Sequence, residues 1–121
     1  GKTENDLKEL YRLAIEHPAA KIILAHWGGG LFFYELMPEV KKALKNVYYD
    51  TAATPYIYAP EIYKVAIEIV GYRKILFGSD FPLIRPKRYL QHIYQQVPDN
   101  EARKHILGKN AASLFLDRTK N

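Results

Sequence analysis

Apolar residues recur at helical spacing near the start of the chain: Leu7, Leu10, Tyr11, Ala14 and Ile15 fall on one face, the period of an amphipathic helix. Thr3 with Asp6 resembles a capping box and Pro18 lies just past the last periodic position, so a helix is expected from about Glu4 to His17. The pattern then changes. Lys21 to Ala25 reads K-I-I-L-A, a short continuous apolar run of the kind found in parallel strands covered on both faces. His26 follows, and Gly28, Gly29 and Gly30 predict a loop.

Helical spacing returns at Leu36, Met37, Val40 and Leu44, with Pro38 obscuring the start because proline favours the first turn. Val47 to Tyr49 predicts a second strand ending at Asp50, and Thr51 to Tyr58, which contains Pro55, predicts a loop. Pro60 opens a helix with Ile62, Val65, Ala66, Ile69 and Val70 on one face, and Gly71 is its natural stop. Lys74 to Phe77 reads K-I-L-F, a third strand, followed by Gly78-Ser79-Asp80. Two further helices are expected, Pro86 to Gln96 and Asp99 to Leu107, the second N-capped by Asp99. Gly108 would end it, and Asn110 would cap a last short helix through Leu116.

The resulting order, α-β-α-β-α-β-α-α, predicts an α/β fold with a parallel sheet and right-handed crossovers. Three strands with four or five helices leave both sheet edges open, which implies part of something larger.

Composition narrows the class. The chain has 121 residues, one domain at most. It has no Cys, which excludes disulfide staples, a thiolate nucleophile and a Cys-ligated metal. No apolar run approaches the ~20 residues of a membrane-spanning helix, and the polar start from Gly1 to Asp6 lacks a secretory pattern. A soluble cytoplasmic protein without membrane association is expected. Eighteen Lys and Arg against thirteen Asp and Glu give a net charge of +5. The basic residues are dispersed, and the densest group, Arg85, Lys87 and Arg88, reads as a solvated helix face rather than a phosphate track. No nucleic-acid partner is expected.

Function in parallel α/β folds collects at the carboxyl ends of the strands, and those positions hold His26, Asp50 and Asp80. A neutral imidazole and a carboxylate at one rim suit either a Zn²⁺ site or a general acid–base pair. Plainer roles exist for each. A His at a strand end can bond loop backbone, Asp80 before Phe81-Pro82 can form a turn or a cap, and Asp50 before Thr51 reads as a loop cap. His17, His92 and His105 read as structural or solvent-facing. The glycine run matches neither G-x-G-x-x-G nor a P-loop, and no Ser occupies a G-x-S-x-G elbow.

Four strings, KIILAHWGGG (Lys21 to Gly30), NVYYDTA (Asn46 to Ala52), KILFGSDFP (Lys74 to Pro82) and ILGKNAASLF (Ile106 to Phe115), resemble in order and spacing the C-terminal part of the amidohydrolase-related metal-dependent hydrolases. That family includes the aminocarboxymuconate-semialdehyde and related decarboxylases. The resemblance implies the C-terminal portion of a TIM (β/α)₈ barrel, with the three strands corresponding to strands six, seven and eight. It implies that His26 is the catalytic His that orients or activates metal-bound water and polarises the substrate. Asp80 would be the strand-eight carboxylate that binds the metal and relays a proton, and Trp27 and Phe81 would line the pocket of a small-molecule substrate. A divalent metal is implied, with Zn²⁺ the default and Mn²⁺ or Fe²⁺ alternatives. The family also uses an H-x-H pair on strand one and a His on strand five, and neither is present. A whole barrel takes ~250 residues. The isolated chain is therefore expected to bind metal weakly, to lack turnover, and to self-associate or pair with an N-terminal barrel half. The competing expectation is a non-catalytic fragment or assembly module that pairs through its open strand edges.

Overall fold

A computed structural model describes residues 2–78 and 86–114. Helix α1 (Lys2–Glu16) leads into β1 (Ile22–Leu24), a 3₁₀-type segment (His26–Leu36), α2 (Pro38–Ala43) and β2 (Val47–Asp50). Then follow α3 (Thr54–Ile57), α4 (Ile62–Val70), a 3₁₀ turn (Tyr72–Lys74), β3 (Ile75–Leu76), α5 (Pro86–Gln96) and α6 (Asn100–Lys104), which runs into a π-helical turn (His105–Lys109). The strands form one sheet in the order β1-β2-β3. Both pairings are parallel, with Ile22 opposite Val47 and Tyr49 opposite Ile75. The parallel α/β fold expected from the alternation of elements is therefore present.

Side chains alternate across a strand, and the sheet uses one of its faces far more than the other. Leu24, Val47, Tyr49 and Ile75 are buried on the helix side. On the opposite side Ile23 is 51% exposed and its register partner Tyr48 is half-buried. The run Lys21 to Ala25 was expected to be covered on both faces; among the described residues β1 is covered on one. An apolar side chain on the open face is what a strand shows when its opposite wall is missing.

The edges differ as well. Leu76 O accepts from Thr51 N, so the polar groups of its neighbours Ile75 and Phe77 point away from β2. Phe77 N–H donates to Ile106 O at 3.1 Å, and Asn110 Nδ2 donates to Ile75 O and Tyr72 O at 2.7 Å each. The C-terminal helix thereby covers the edge of β3, a common way of blunting an open strand. β1, among the described residues, pairs with β2 alone.

Several local expectations are corrected. Pro55 does not keep 51–58 a loop, because it stands in the first turn of α3, where its fixed φ is helical and its missing N–H costs nothing. Gly108 does not stop the last helix. It lies inside the π turn, and helix continues through 110–114. Asn110 accordingly clamps β3 rather than capping a new helix. In α1 the buried stripe is Leu7, Leu10, Tyr11 and Ala14, with Ile15 outside it and exposed. In α4 Tyr63 is fully buried and Val65 is exposed, because two residues on is about 200° around a helix.

Candidate functional site

Parallel strands bring their carboxyl ends to one rim, and three turns meet there. The first follows β1. His26, Trp27, Gly28, Gly29 and Gly30 all have positive φ, from 53° to 100°, so the chain makes one left-handed turn, closed by Gly28 N–H on Ala25 O at 2.9 Å. Glycine adopts this conformation freely; an L-residue pays roughly 1–2 kcal/mol in steric strain. His26 and Trp27 carry that strain. Gly28 has a second reason to be glycine: a Cβ there would stand 3.1 Å from the Tyr49 ring and 3.2 Å from Leu24. The glycine run expected to admit a ligand thus packs, at Gly28, against β1 and β2 side chains.

The second turn follows β2. Asp50 Oδ1 accepts from Ala52 N at 2.6 Å, a side chain imitating a backbone turn, and Ala53 is left-handed with φ 64°. Thr51 and Thr54 are both fully buried. The Thr54 hydroxyl donates to Thr51 O and accepts from the Trp27 indole N–H at 3.0 Å.

The third turn follows β3. Gly78 N–H donates to Thr51 Oγ1 at 3.1 Å. Gly78 has no room for a side chain: a Cβ would collide with Asp50 Oδ1 and stand 2.9 Å from the rest of that carboxylate.

His26 sits on this framework. It is exposed, and its Nδ1 lies 2.9 Å from Ala52 O. A carbonyl only accepts, so Nδ1 carries the proton and Nε2 keeps its lone pair. That is the tautomer in which an imidazole ligates a metal or accepts a proton through Nε2. The Tyr58 hydroxyl also donates to the His26 backbone carbonyl at 3.3 Å.

The other predicted residues fare differently. Trp27, expected at a pocket wall, is fully buried between Tyr63 and Phe32, with ring centroids 5.2 Å and 6.0 Å away. It presents no surface to the rim. Asp80 and Phe81 lie outside the described residues, where β3 leads past Gly78. Asp50 takes part in the turn, in keeping with its reading as a loop cap. Among the described residues no three His, Asp or Glu side chains come together to hold a metal ion.

Beneath the rim lies a polar cluster that sequence reasoning missed. Glu35 is buried, and its carboxylate accepts from the Tyr49 hydroxyl at 2.6 Å and from Lys74 Nζ at 3.0 Å and 3.1 Å. Lys74 Nζ also donates to Leu44 O at 2.8 Å. Burial pulls the Lys74 ammonium below its usual pKa, and the neighbouring Glu35 opposes that shift. Burial, reinforced by the bond to Glu35, pushes the Tyr49 phenol far above its usual value. A lone acid inside the apolar stretch L-F-F-Y-E-L-M was the available signal, because a buried carboxylate requires a partner.

The sequence profile of the amidohydrolases matches residues 3–116. The chain belongs to the amidohydrolase family. Solved structures with the same fold include a dihydroxybenzoic acid decarboxylase from Polaromonas sp. JS666, with bound manganese and the inhibitor 2-nitroresorcinol. It is 22% identical, with a TM-score of 0.73 over 90% of this chain and 39% of that one. A 5-carboxyvanillate decarboxylase from Sphingomonas paucimobilis is 17% identical, with a TM-score of 0.72 over 89% of this chain and 38% of that one. A 2,6-dihydroxybenzoate decarboxylase from Rhizobium is 22% identical, with a TM-score of 0.69 over 92% and 42%. No curated protein matches the chain. This amidohydrolase chain thus spans about two-fifths of the length of the structures it resembles. Among its described residues no helix is long and apolar enough to cross a membrane.

Proposed function

We propose that this chain is the C-terminal portion of a metal-dependent barrel enzyme of the amidohydrolase family, its three strands standing as strands six to eight. The reaction proposed is loss of CO₂ from a small hydroxylated aromatic acid, with hydrolysis at a carbonyl-type carbon as the alternative. The observation that carries this reading is His26 at the end of β1, with Nδ1 committed to Ala52 O and Nε2 left as the reactive nitrogen. The three decarboxylases above support the choice of reaction class.

Within that reading His26 takes up or delivers a proton at Nε2, and Asp80 and Phe81 join it from the turn after β3. A divalent cation, Zn²⁺ or Mn²⁺, would act as a Lewis acid beside them. The described residues do not by themselves fit such an ion, so its ligands are assigned to Asp80 and to the rest of the barrel. The exposed Ile23 and the unpaired edge of β1 support docking of that remainder on the open side of the sheet. The same edge is where a free copy of this chain would self-associate. A cytoplasmic location belongs to the same proposal.

The test is the full-length gene product, assayed for CO₂ release from 2,6-dihydroxybenzoate and analysed for bound metal. His26→Ala and Asp80→Asn are expected to lower turnover by roughly 10²–10⁴-fold, with metal content falling in Asp80→Asn. Retention of full activity and metal by both variants would overturn the proposal.

A further inference from the structure

We infer that Trp27 and Thr54 are positioning residues that hold the His26 imidazole in one tautomer and one orientation. The inference rests on His26 being the reactive group of the rim and adds what controls it.

Two features need explanation together. His26 and Trp27 are strained left-handed residues in succession, and Trp27 is an aromatic side chain with no exposed surface at a position that immediately follows a functional His. Strained backbone persists only where its surroundings over-determine it. Here the surroundings are the core contacts of Trp27 with Tyr63 and Phe32 and the bond from its indole N–H to Thr54 Oγ1 at 3.0 Å. Burying the indole on one side of the chain leaves the preceding residue, His26, turned out to solvent.

Thr54 is the node. Its hydroxyl accepts from Trp27 and donates to Thr51 O, so one atom ties the turn after β1 to the turn after β2. Thr51 extends the tie to β3 through Gly78 N–H. Ala52 O, the acceptor of His26 Nδ1–H, lies between Thr51 and Thr54, and its own N–H is held by Asp50. Donor and acceptor of the tautomer-setting bond thus sit on two turns joined by a single buried hydroxyl. A neutral imidazole in water exchanges between tautomers; fixing both ends of one bond selects Nδ1–H.

The experiment is nitrogen-15 spectroscopy of the imidazoles in the 121-residue chain, above the pH at which they protonate. His105 serves as an internal control, because its Nε2 accepts from Arg73 at 3.2 Å and its Nδ1 donates to Glu101 O at 2.9 Å, both remote from Thr54. His26 is expected to show a single Nδ1–H pattern. Thr54→Val should abolish that pattern and leave averaged tautomers, Thr54→Ser should restore it, and His105 should be unchanged in both. Trp27→Phe keeps the buried ring, removes the N–H, and provides the same reading if Thr54→Val does not fold. An unchanged His26 pattern in Thr54→Val or in Trp27→Phe overturns the inference. A tautomer that changes while full-length Thr54→Val turns over at the wild-type rate leaves positioning intact and removes His26 from the chemistry, so the two ideas fail separately.

Discussion

The rim and the Glu35 cluster are two polar regions a few residues apart in sequence, built on opposite principles. In the cluster every charged or polar head is turned inward on another: Glu35 receives both Tyr49 and Lys74, and Lys74 adds a backbone carbonyl. Such a set is internally satisfied, and its effect falls on stability. At the rim the side chains mostly bond backbone. Asp50, Thr51 and Thr54 hold peptide groups, and those peptide groups hold His26. One nitrogen is left over, facing solvent, where chemistry can use it. A closed network fixes the fold, whereas an open one directs its spare valence outward.

That contrast predicts which measurement each substitution moves. The largest separation is expected for His26→Asn in the full-length gene product: turnover falls roughly 10²–10⁴-fold, while the melting temperature stays near that of the wild type, because the exposed ring contributes little burial. Loss of several degrees with unchanged turnover would reverse the assignment of the two regions. Glu35→Ala should do the opposite. It leaves the Lys74 ammonium buried without its carboxylate, a loss of about 3–5 kcal/mol, measured by urea unfolding of the 121-residue chain.

A smaller effect, about 1–3 kcal/mol, is expected from Gly78→Ala, whose methyl group must displace the Asp50 carboxylate. The circular-dichroism melt should report it, and a neutral outcome would show that the two turns are not in contact.

The smallest effect is a pH dependence. The Tyr49 phenol is raised in the fold above its model value of 10.0, so above about pH 10 the unfolded chain releases a proton that the folded chain retains. The unfolded state then binds fewer protons, and stability falls as pH rises. Lys74, with its pKa lowered, acts in the other direction as pH approaches its model value of 10.5. Comparing unfolding free energies of wild type and Tyr49→Phe between pH 9 and 11 isolates the phenol, and the wild type should lose more stability over that range.

Much of the fold was legible because periodicity is a property of side chains. The stripe Leu7, Leu10, Tyr11 and Ala14, the alternation of Val47 and Tyr49 with Tyr48 and Asp50, and the stop at Gly71 each follow from burial or backbone freedom at that residue. What escaped depends on distant partners. Nothing local announces that His26 and Trp27 adopt positive φ, since only the glycines after them signal it, and the strain is stabilised by Thr54, 27 residues away. Lys74 read as the first residue of a strand, and its role appears only once Glu35 folds over it. Gly108 and Asn110 carried the ordinary marks of a helix end and a cap, yet strand β3 recruits Asn110 and the helix runs on. His26 was legible as a strand-end residue; its tautomer was not, because that is set by a carbonyl.

The π turn at 105–109 carries a consequence for how this segment tolerates change. A wider turn accommodates one residue more than a regular one, so the helical phase before it and the phase after it are offset, each suited to its own contacts. Upstream, Ala102 and Ile106 are set into the core, and downstream Asn110 reaches the carbonyls of Tyr72 and Ile75. Removing any one residue between 105 and 109 would restore a uniform helix and rotate all that follows by about 100°, carrying Asn110 off the strand edge. Indels there should be far more disruptive than substitutions at the exposed positions, and chains with this turn should vary by exchange of residues rather than by length.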